Sequence, residues 1–198
     1  HLVPGGEHSI EIDPRTVSAE RLQVLHQLGF NRLSFGVQDF DPQVQKAVHR
    51  IQPVEQTFEL TQAARDTGFE SVNVDLIYGT PGESVDDLRH TLSSLDFSVI
   101  THVSAYALIV EEGTRLARAI ARGDIAAPDD DDLADKYEVI DTFLQARGLS
   151  WYEVSNWSRP GAECQHNIGY WHCVCAFIEA YDCMKTFLLV MPRVFEKE

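Results

Sequence analysis

The chain has 198 residues, of which 44% are hydrophobic and 24% are charged, as in an ordinary globular domain with a sizeable core. Its net charge of −15 argues against a nucleic-acid-binding function, because phosphate contacts need a surplus of Lys and Arg. No apolar run approaches the roughly 20 residues of a transmembrane helix, so no integral membrane segment is predicted.

The first strand and helix are followed at once by a second strand. Ser9–Ile12 is a short strand candidate that Asp13-Pro14 ends. A helix is predicted from about Ser18, with leucines at helical spacing and Gly29 at its end. Arg32 to Val37 is the next predicted strand.

Two helices and a strong strand come next. Asp41-Pro42 opens a helix with Pro at its first position, and a longer helix is predicted from Val54 to Thr67. Ser71 to Tyr78 is rich in β-forming residues and predicts a strand. A turn follows, then a helix capped by Ser84 and a fourth strand from His102 to Val110.

Strands that alternate with helices predict βαβ units and a parallel sheet. We therefore predict an α/β fold: a partial (β/α) barrel of about four βα units out of six, with open sheet edges. The predicted boundaries are a partial barrel over 1–112, a smaller, mostly α-helical region over 113–171, and an atypical tail over 172–198.

The second region contains two helical patterns and one predicted strand. Helices are predicted over 114–122 and from 133 to Gly148, and a strand from Trp151 to Trp157. The acidic run 129–132 is interpreted as a helix start and not an ion site, because acidic residues stabilise helix N-termini.

All four cysteines lie in the last fifth of the chain. Their absence elsewhere suits a reducing compartment, so a cytoplasmic location is predicted. The tail groups His172, Cys173, Cys175 and Cys183 could bind zinc, but their spacing matches no common zinc site, so no metal site is predicted.

Three predicted strands each carry a polar residue in an otherwise apolar run. These residues are Glu11, Gln38 and Asp75. Burying such groups without partners costs a few kcal/mol each, and the carboxyl ends of parallel barrel strands face the active site. Their recurrence favours a polar ligand site, in which Arg50 could bind a carboxylate.

Four segments together resemble the oxygen-independent coproporphyrinogen III oxidases, a radical S-adenosylmethionine family. They are SIEIDPR at 9–15, FNRLSFGVQDF at 30–40, VHRIQ at 48–52 and NVDLIYG at 73–79. The resemblance implies that Glu11 contacts a cluster-bound S-adenosylmethionine and that Gln38, Arg50 and Asp75 contact a second one. It implies a further S-adenosylmethionine contact at Ala107.

The family's activity sets the expected chemistry. A [4Fe–4S] cluster transfers one electron to S-adenosylmethionine, and the resulting radical abstracts hydrogen from a propionate of coproporphyrinogen III, which is decarboxylated to protoporphyrinogen IX. An external electron donor is therefore implied as a partner. The protein holds and shields the cofactor.

The later segments resemble the heme-chaperone branch of the same family. They include YGTPGES at 78–84, WYEVSNW at 151–157 and HNIGYW at 166–171, which matches the chaperones' HNxxYW motif. This motif implies heme binding by His166, Asn167, Tyr170 and Trp171. An imidazole can ligate heme iron, and aromatic rings can flank a porphyrin.

The CxxxCxxC motif that would bind the cluster does not occur in these 198 residues, so we interpret the chain as a fragment in which the enzymatic activity is left open. Three hypotheses follow: an oxidase of porphyrin synthesis, inactive as this fragment; a chaperone that delivers heme to acceptor proteins; and a non-functional, truncated remnant. The first takes coproporphyrinogen III as substrate and the second takes heme as ligand.

Overall fold

The computed structural model describes residues 5–47 and 51–171. The strands are β1 (Ser9–Ile12), β2 (Arg32–Gln38), β3 (Ser71–Tyr78), β4 (His102–Ala107), β5 (Ser150–Glu153) and β6 (Asn156–Ser158). The helices are α1 (Ala19–Gln27), α2 (Pro42–Ala47), α3 (Val54–Thr67), α4 (Val85–Ser93), α5 (Arg115–Ala121), α6 (Asp130–Gln145) and α7 (Gln165–Trp171).

The strands form one mixed sheet in the order β1-β2-β3-β4-β6-β5. The first four strands are parallel, whereas β6 pairs antiparallel with both β4 and β5. The pairing aligns Glu11 with Ser34, Ser34 with Asn73, and Asn73 with His102, so one row of residues crosses all four parallel strands. This partly open α/β sheet confirms the predicted fold class.

Local signals fix the helix ends where the sequence predicted them. The Ser84 hydroxyl and the Asp87 carboxylate form a reciprocal capping box at the start of α4. Asp129 caps α6 by accepting the backbone N–H groups of Asp131 and Asp132, which confirms the acidic run as a helix start. Gly68 ends α3 with φ of 108°, a conformation that costs glycine little.

The hydrophobic core lies between one side of the sheet and four helices. The strands contribute alternate residues such as Leu33, Phe35, Val74 and Val103, all fully buried. The helices contribute the residues Leu22 (α1), Leu60 and Ala64 (α3), Leu88 and Leu92 (α4), Ile140 and Leu144 (α6). Because strand side chains alternate between faces, the other side of the sheet is left for different residues.

The last part of the sheet differs from the prediction. The single strand expected over 151–157 is a hairpin of β5 and β6, because the chain turns at Ser155, whose φ is 64°. Within this hairpin Trp157 is fully buried, and its indole N–H donates to Asp141 of α6 at 2.8 Å. The fourth strand ends at Ala107 and not at Val110.

The chain forms two compact units, residues 1–162 and residues 163–198. The first contains the sheet and α1 to α6, whereas the described part of the second is α7 and the residues before it. The domain boundaries drawn from the sequence stay predictions. None of the helices in the described ranges combines the length and the apolar character that membrane crossing requires.

Candidate functional site

The side of the sheet that faces away from the helices is polar. In β2, β3 and β4 the residues of this side alternate with the core residues. They are Arg32, Ser34, Gly36, Ser71, Asn73, Asp75, His102, Ser104 and Tyr106. The register places Glu11 of the edge strand β1 on the same side, beside Ser34. We refer to this side as the polar face.

Asp75 is held on the polar face by two hydrogen bonds, one from Ser34 of the neighbouring strand β2 and one from Asn73 of its own strand. The Ser34 hydroxyl donates to its Oδ2, and the Asn73 amide donates to its Oδ1 at 2.7 Å. Asn73 also donates to Ser34 Oγ at 2.6 Å, which closes a three-residue ring of hydrogen bonds. Each carboxylate oxygen still has a lone pair for a ligand, so the network fixes Asp75 without using up its accepting capacity.

His102 extends this network away from Asp75. Its Nδ1 lies 2.6 Å from Asn73 Oδ1, and its Nε2 lies 2.8 Å from the Tyr152 hydroxyl. Burial, with a smaller contribution from Arg32, holds the pKa of His102 well below its ordinary value. The imidazole is therefore neutral, with Nδ1–H donating to the amide and Nε2 accepting from the phenol.

Gln38 ends β2 in a strained conformation. Its φ is 71°, and the Asp39 N–H donates to the Val37 carbonyl at 3.0 Å across it, which makes a tight three-residue turn. The β2–β3 register shifts between Gly36 and Gln38. For a residue with a side chain such a turn costs about 1–3 kcal/mol, and strain of this kind gathers at ligand sites.

Two predicted ligand contacts remain, Arg50 and Ala107. Arg50 is outside the described residues, so its place relative to Gln38 and Asp75 stays a prediction. Ala107 is the last residue of β4 and lies on the core side of the sheet, where its methyl group packs against the hydrophobic core. A ligand contact at Ala107 would therefore be made by its main chain.

A buried acidic cluster lies behind Gln38, where β2 and β3 end. Lys136 of α6 is 1% exposed and donates to the Glu83 carbonyl at 2.7 Å, and its Nζ lies 3.3 Å from the Glu83 carboxylate. The same carboxylate accepts the Gly79 N–H at 2.5 Å. Asp39 lies beside Glu83, and its carboxylate accepts from Thr91 at 3.0 Å. None of these groups was predicted as functional.

The predicted heme residues lie on α7 in the second unit. The rings of His166 and Tyr170 are one helical turn apart and meet edge to face, with centroids 4.8 Å apart. His166 is exposed, and Tyr170 and Trp171 are 49% and 53% exposed. Asn167 is half-buried. The exposed imidazole, with the exposed Tyr170 ring against it, is open to a planar ligand, and heme binding itself stays a prediction.

The described residues do not supply a cluster-binding set. Cys164 is buried and free, and the other three cysteines lie outside the described ranges, as does the rejected zinc set. Across residues 5–47 and 51–171, no three His, Cys, Asp or Glu side chains are grouped as metal ligands. The described part of the chain therefore does not fit a [4Fe–4S] cluster.

Sequence reasoning missed most of the polar face. It singled out Glu11, Gln38 and Asp75 but passed over Ser34, Asn73 and the other residues that hold them. The signal was present, because β2 reads RLSFGVQ and β3 reads SVNVDLIY, with small or polar residues at most alternate positions. Period-two alternation in a strand predicts two faces of different character.

Comparison with known proteins gives concordant results. The model of the radical SAM superfamily matches residues 2–95. The chain is 47% identical over 170 residues to the heme chaperone HemW of Mycobacterium tuberculosis, which is 86% of this chain and 44% of that protein. It is 56% identical over 86 residues to the oxygen-independent coproporphyrinogen III oxidase of Helicobacter pylori, which is 43% of this chain and 19% of that protein.

A solved structure supports the same grouping. Coproporphyrinogen III oxidase (HemN) from Escherichia coli, described as a radical SAM enzyme, matches 80% of this chain and 36% of its own with a TM-score of 0.71 and 34% identity. The archaeal Elp3 of Methanocaldococcus infernus has a TM-score of 0.60 at 24% identity and supports the fold alone. The chain thus spans less than half the length of these relatives.

Proposed function

Since the chain belongs to the radical SAM superfamily, in the group of the heme chaperones and oxygen-independent coproporphyrinogen III oxidases, we propose that its polar face binds S-adenosylmethionine. The observation that carries this proposal is the fixed Asp75 carboxylate. Two neighbouring side chains orient it, and the face around it is polar in a sheet whose other side is the core.

The charges of the face suit this ligand. S-adenosylmethionine carries an ammonium and a sulfonium cation together with ribose hydroxyl donors. Glu11 and Asp75 bring carboxylates to the same face, and Gln38 brings a neutral amide to its carboxyl end. Because the hydrogen bonds within the face are already made, binding requires little reordering of these side chains.

A binding measurement on the 198-residue chain tests this function. Asp75→Asn removes the charge with little change of shape, and we expect the dissociation constant for S-adenosylmethionine to rise about tenfold or more, since a hydrogen bond to a charged group is worth about 1.5–3 kcal/mol. Equilibrium dialysis with labelled ligand measures it. Asp66→Asn, on the exposed side of α3, is the matched control. Equal binding by the two variants would contradict the assignment of Asp75.

The second unit favours a heme-handling role over the oxidase role. The HemW relative matches 86% of this chain, including residues of the later half, whereas the oxidase relative matches 43%. The exposed His166, Tyr170 and Trp171 are the groups that would bind the porphyrin. On this proposal the protein uses α7 to hold heme for transfer to an acceptor.

Titration with hemin tests that role. We expect a Soret band that is lost in His166→Ala and kept in His90→Ala, because His90 is an exposed histidine on α4 in the other unit. If His166→Ala kept the same Soret band as His90→Ala, His166 would not be a heme ligand. Broad thermal unfolding of the unsubstituted chain would instead favour the non-functional remnant.

The oxidase remains a second candidate because the 56% identity to the Helicobacter pylori enzyme spans 86 residues. It applies to a protein that carries this chain together with the cluster cysteines. Anaerobic incubation of that protein with coproporphyrinogen III, S-adenosylmethionine and a reductant should give decarboxylated product. Intact substrate, with S-adenosylmethionine bound, would count against this candidate and leave the binding function standing.

A further inference from the structure

Two buried carboxyl groups meet behind the polar face. Asp39 follows Gln38 at the end of β2, and Glu83 ends the turn that follows β3. Asp39 is 2% exposed and the Glu83 side chain is fully buried. Neither group contributes to the ligand contacts proposed above.

The hydrogen bonds of this pair leave one place for a proton. Asp39 Oδ1 accepts from the Asp41 N–H at 2.6 Å and from the Thr91 hydroxyl, and Glu83 Oε2 accepts from the Gly79 N–H. Asp39 Oδ2 and Glu83 Oε1 are buried and have no donor among the described residues. The side chains of Asp39 and Glu83 interact with each other, so a single proton shared between the two carboxyl groups would supply the donor that these oxygens lack.

The charge balance also calls for that proton. Lys136 on α6 lies with its Nζ 3.3 Å from the Glu83 carboxylate, but it also pairs with Asp132, which lies 2.8 Å from the same Nζ. The other titratable groups that face the pair are Asp41, beside Asp39, and Tyr78, at the end of β3. Burial is the main reason why the pKa of Asp39 is raised and that of Glu83 is raised to about 7.

The pair lies next to the strained residue of the site. Gln38 has a positive φ, and such a conformation persists only where its surroundings over-determine it. Asp39 supplies those restraints: its N–H closes the turn on Val37, its carbonyl accepts from Gln45 at 2.9 Å, and its carboxyl group meets Glu83.

We propose that Asp39 and Glu83 share one proton, and that this acid pair, anchored by Lys136, is the device that positions Gln38 on the ligand side of the sheet. Its consequence for the ligand rests on the proposed binding of S-adenosylmethionine. Loss of the shared proton places two negative charges against each other, which drives the segments after β2 and β3 apart. Glu83 and Asp39 are positioning residues, since they act through Gln38.

Glu83→Gln keeps a hydrogen bond to Asp39 but removes the carboxyl group that gains or loses the shared proton. Its amide oxygen can accept from Gly79 and Lys136 while its amide N–H donates permanently to Asp39. The unsubstituted chain should bind S-adenosylmethionine several-fold more weakly at about pH 8.5 than at about pH 6, because a group with a pKa near 7 changes charge between them. Glu83→Gln should show a flat profile, as Asp39→Asn should. Glu55→Gln, an exposed glutamate on α3, is the control that keeps the original profile.

A second measurement needs no ligand. The Glu83 side-chain carboxyl carbon, followed by NMR in labelled protein, should titrate with a midpoint near 7. Because this pKa is raised in the folded state, the pair stabilises the fold fully below the unfolded pKa and loses that effect as the pH rises through 7. As the pH rises from the unfolded pKa through 7, the unfolding midpoint of the unsubstituted chain should therefore fall relative to that of Glu83→Gln.

These readouts distinguish the two proposals. A midpoint below about 5 for the Glu83 carboxyl group, close to an ordinary glutamate, would overturn the shared proton. A pH dependence of binding that Glu83→Gln retains would overturn the positioning role. Absence of any S-adenosylmethionine binding at any pH, with the carboxyl group still titrating near 7, would instead refute the proposed function and leave the acid pair intact.

Discussion

The two sides of the central sheet are built from the same strands but have different roles. Phe35 and Ser34 are neighbours in β2, and one is fully buried among aliphatic residues whereas the other bonds to a carboxylate. Val74 and Asn73 repeat this contrast in β3, and Val103 and His102 repeat it in β4. The apolar side holds the helices, and the polar side holds a directed hydrogen-bond network.

This contrast separates two kinds of stability. The apolar side is stabilised by area removed from water, which is not directional and tolerates changes of shape better than changes of volume. The polar side depends on satisfied donors and acceptors, so removing one group leaves others without partners. A one-residue shift of register would exchange the two sides, which is why the alternation specifies the pairing so strongly.

The largest expected effect is on the apolar side. Phe35→Ala should lower the free energy of unfolding by about 3–5 kcal/mol, because it empties a fully buried ring site. Urea unfolding measures it. Phe58→Ala, on α3 and 37% exposed, should cost far less and is the control. A similar loss in both variants would break the contrast between core and surface.

On the polar side the largest effect is expected at Asn73. Asn73→Ala removes the hydrogen bonds to Ser34, Asp75 and His102, and should lower the free energy of unfolding by about 1–3 kcal/mol. Gln62→Ala, on the exposed side of α3, is the matched control. If Asn73→Ala unfolded as the original chain does, the network would not contribute to stability.

The neutral His102 predicts a pH dependence of stability. Its folded-state pKa is depressed by burial, so its contribution is present above the unfolded pKa of about 6.5 and is lost as the pH falls below it. The free energy of unfolding should fall by at most about 1.4 kcal/mol per pH unit relative to His102→Gln. Parallel pH profiles of the two proteins would contradict a neutral buried imidazole.

The smallest effect is expected at the margin of the network. Ser104 donates to Asn73 Oδ1 at 3.3 Å, a long bond beside the shorter one from His102. Ser104→Ala should therefore cost less than about 1 kcal/mol in chemical unfolding. A loss as large as that of Asn73→Ala would show that the network acts as one unit and not as a set of graded contacts.

The parallel part of the fold could be predicted because its signals are local. Caps at Ser84 and Asp129, the glycine at 68 and the β-rich run 71–78 each mark an element by themselves. The hairpin of β5 and β6 could not be predicted in the same way. Its turn at Ser155 lacks the usual glycine, and its pairing with β4 joins residues about 50 positions apart.

The candidate ligand contacts of the site could be predicted from the sequence, but the residues that position them could not. Resemblance identified Glu11, Gln38 and Asp75, and the structure describes the first and third on one face. The Asp39–Glu83 pair was beyond sequence reasoning, since the residues lie 44 positions apart and each alone is typical of a solvated acid. The burial of Asp39, Glu83 and Lys136, which the structure describes, is what supports the proposed pair.

Trp157 gives this molecule an internal optical probe. Of the three tryptophans, it alone is fully buried, whereas Trp151 and Trp171 are 42% and 53% exposed. Its indole is hydrogen-bonded to Asp141, and the Tyr137 ring lies 5.3 Å away. Acrylamide should therefore quench two emitters and spare the third, so that the surviving blue-shifted emission reports whether the antiparallel hairpin is still joined to α6.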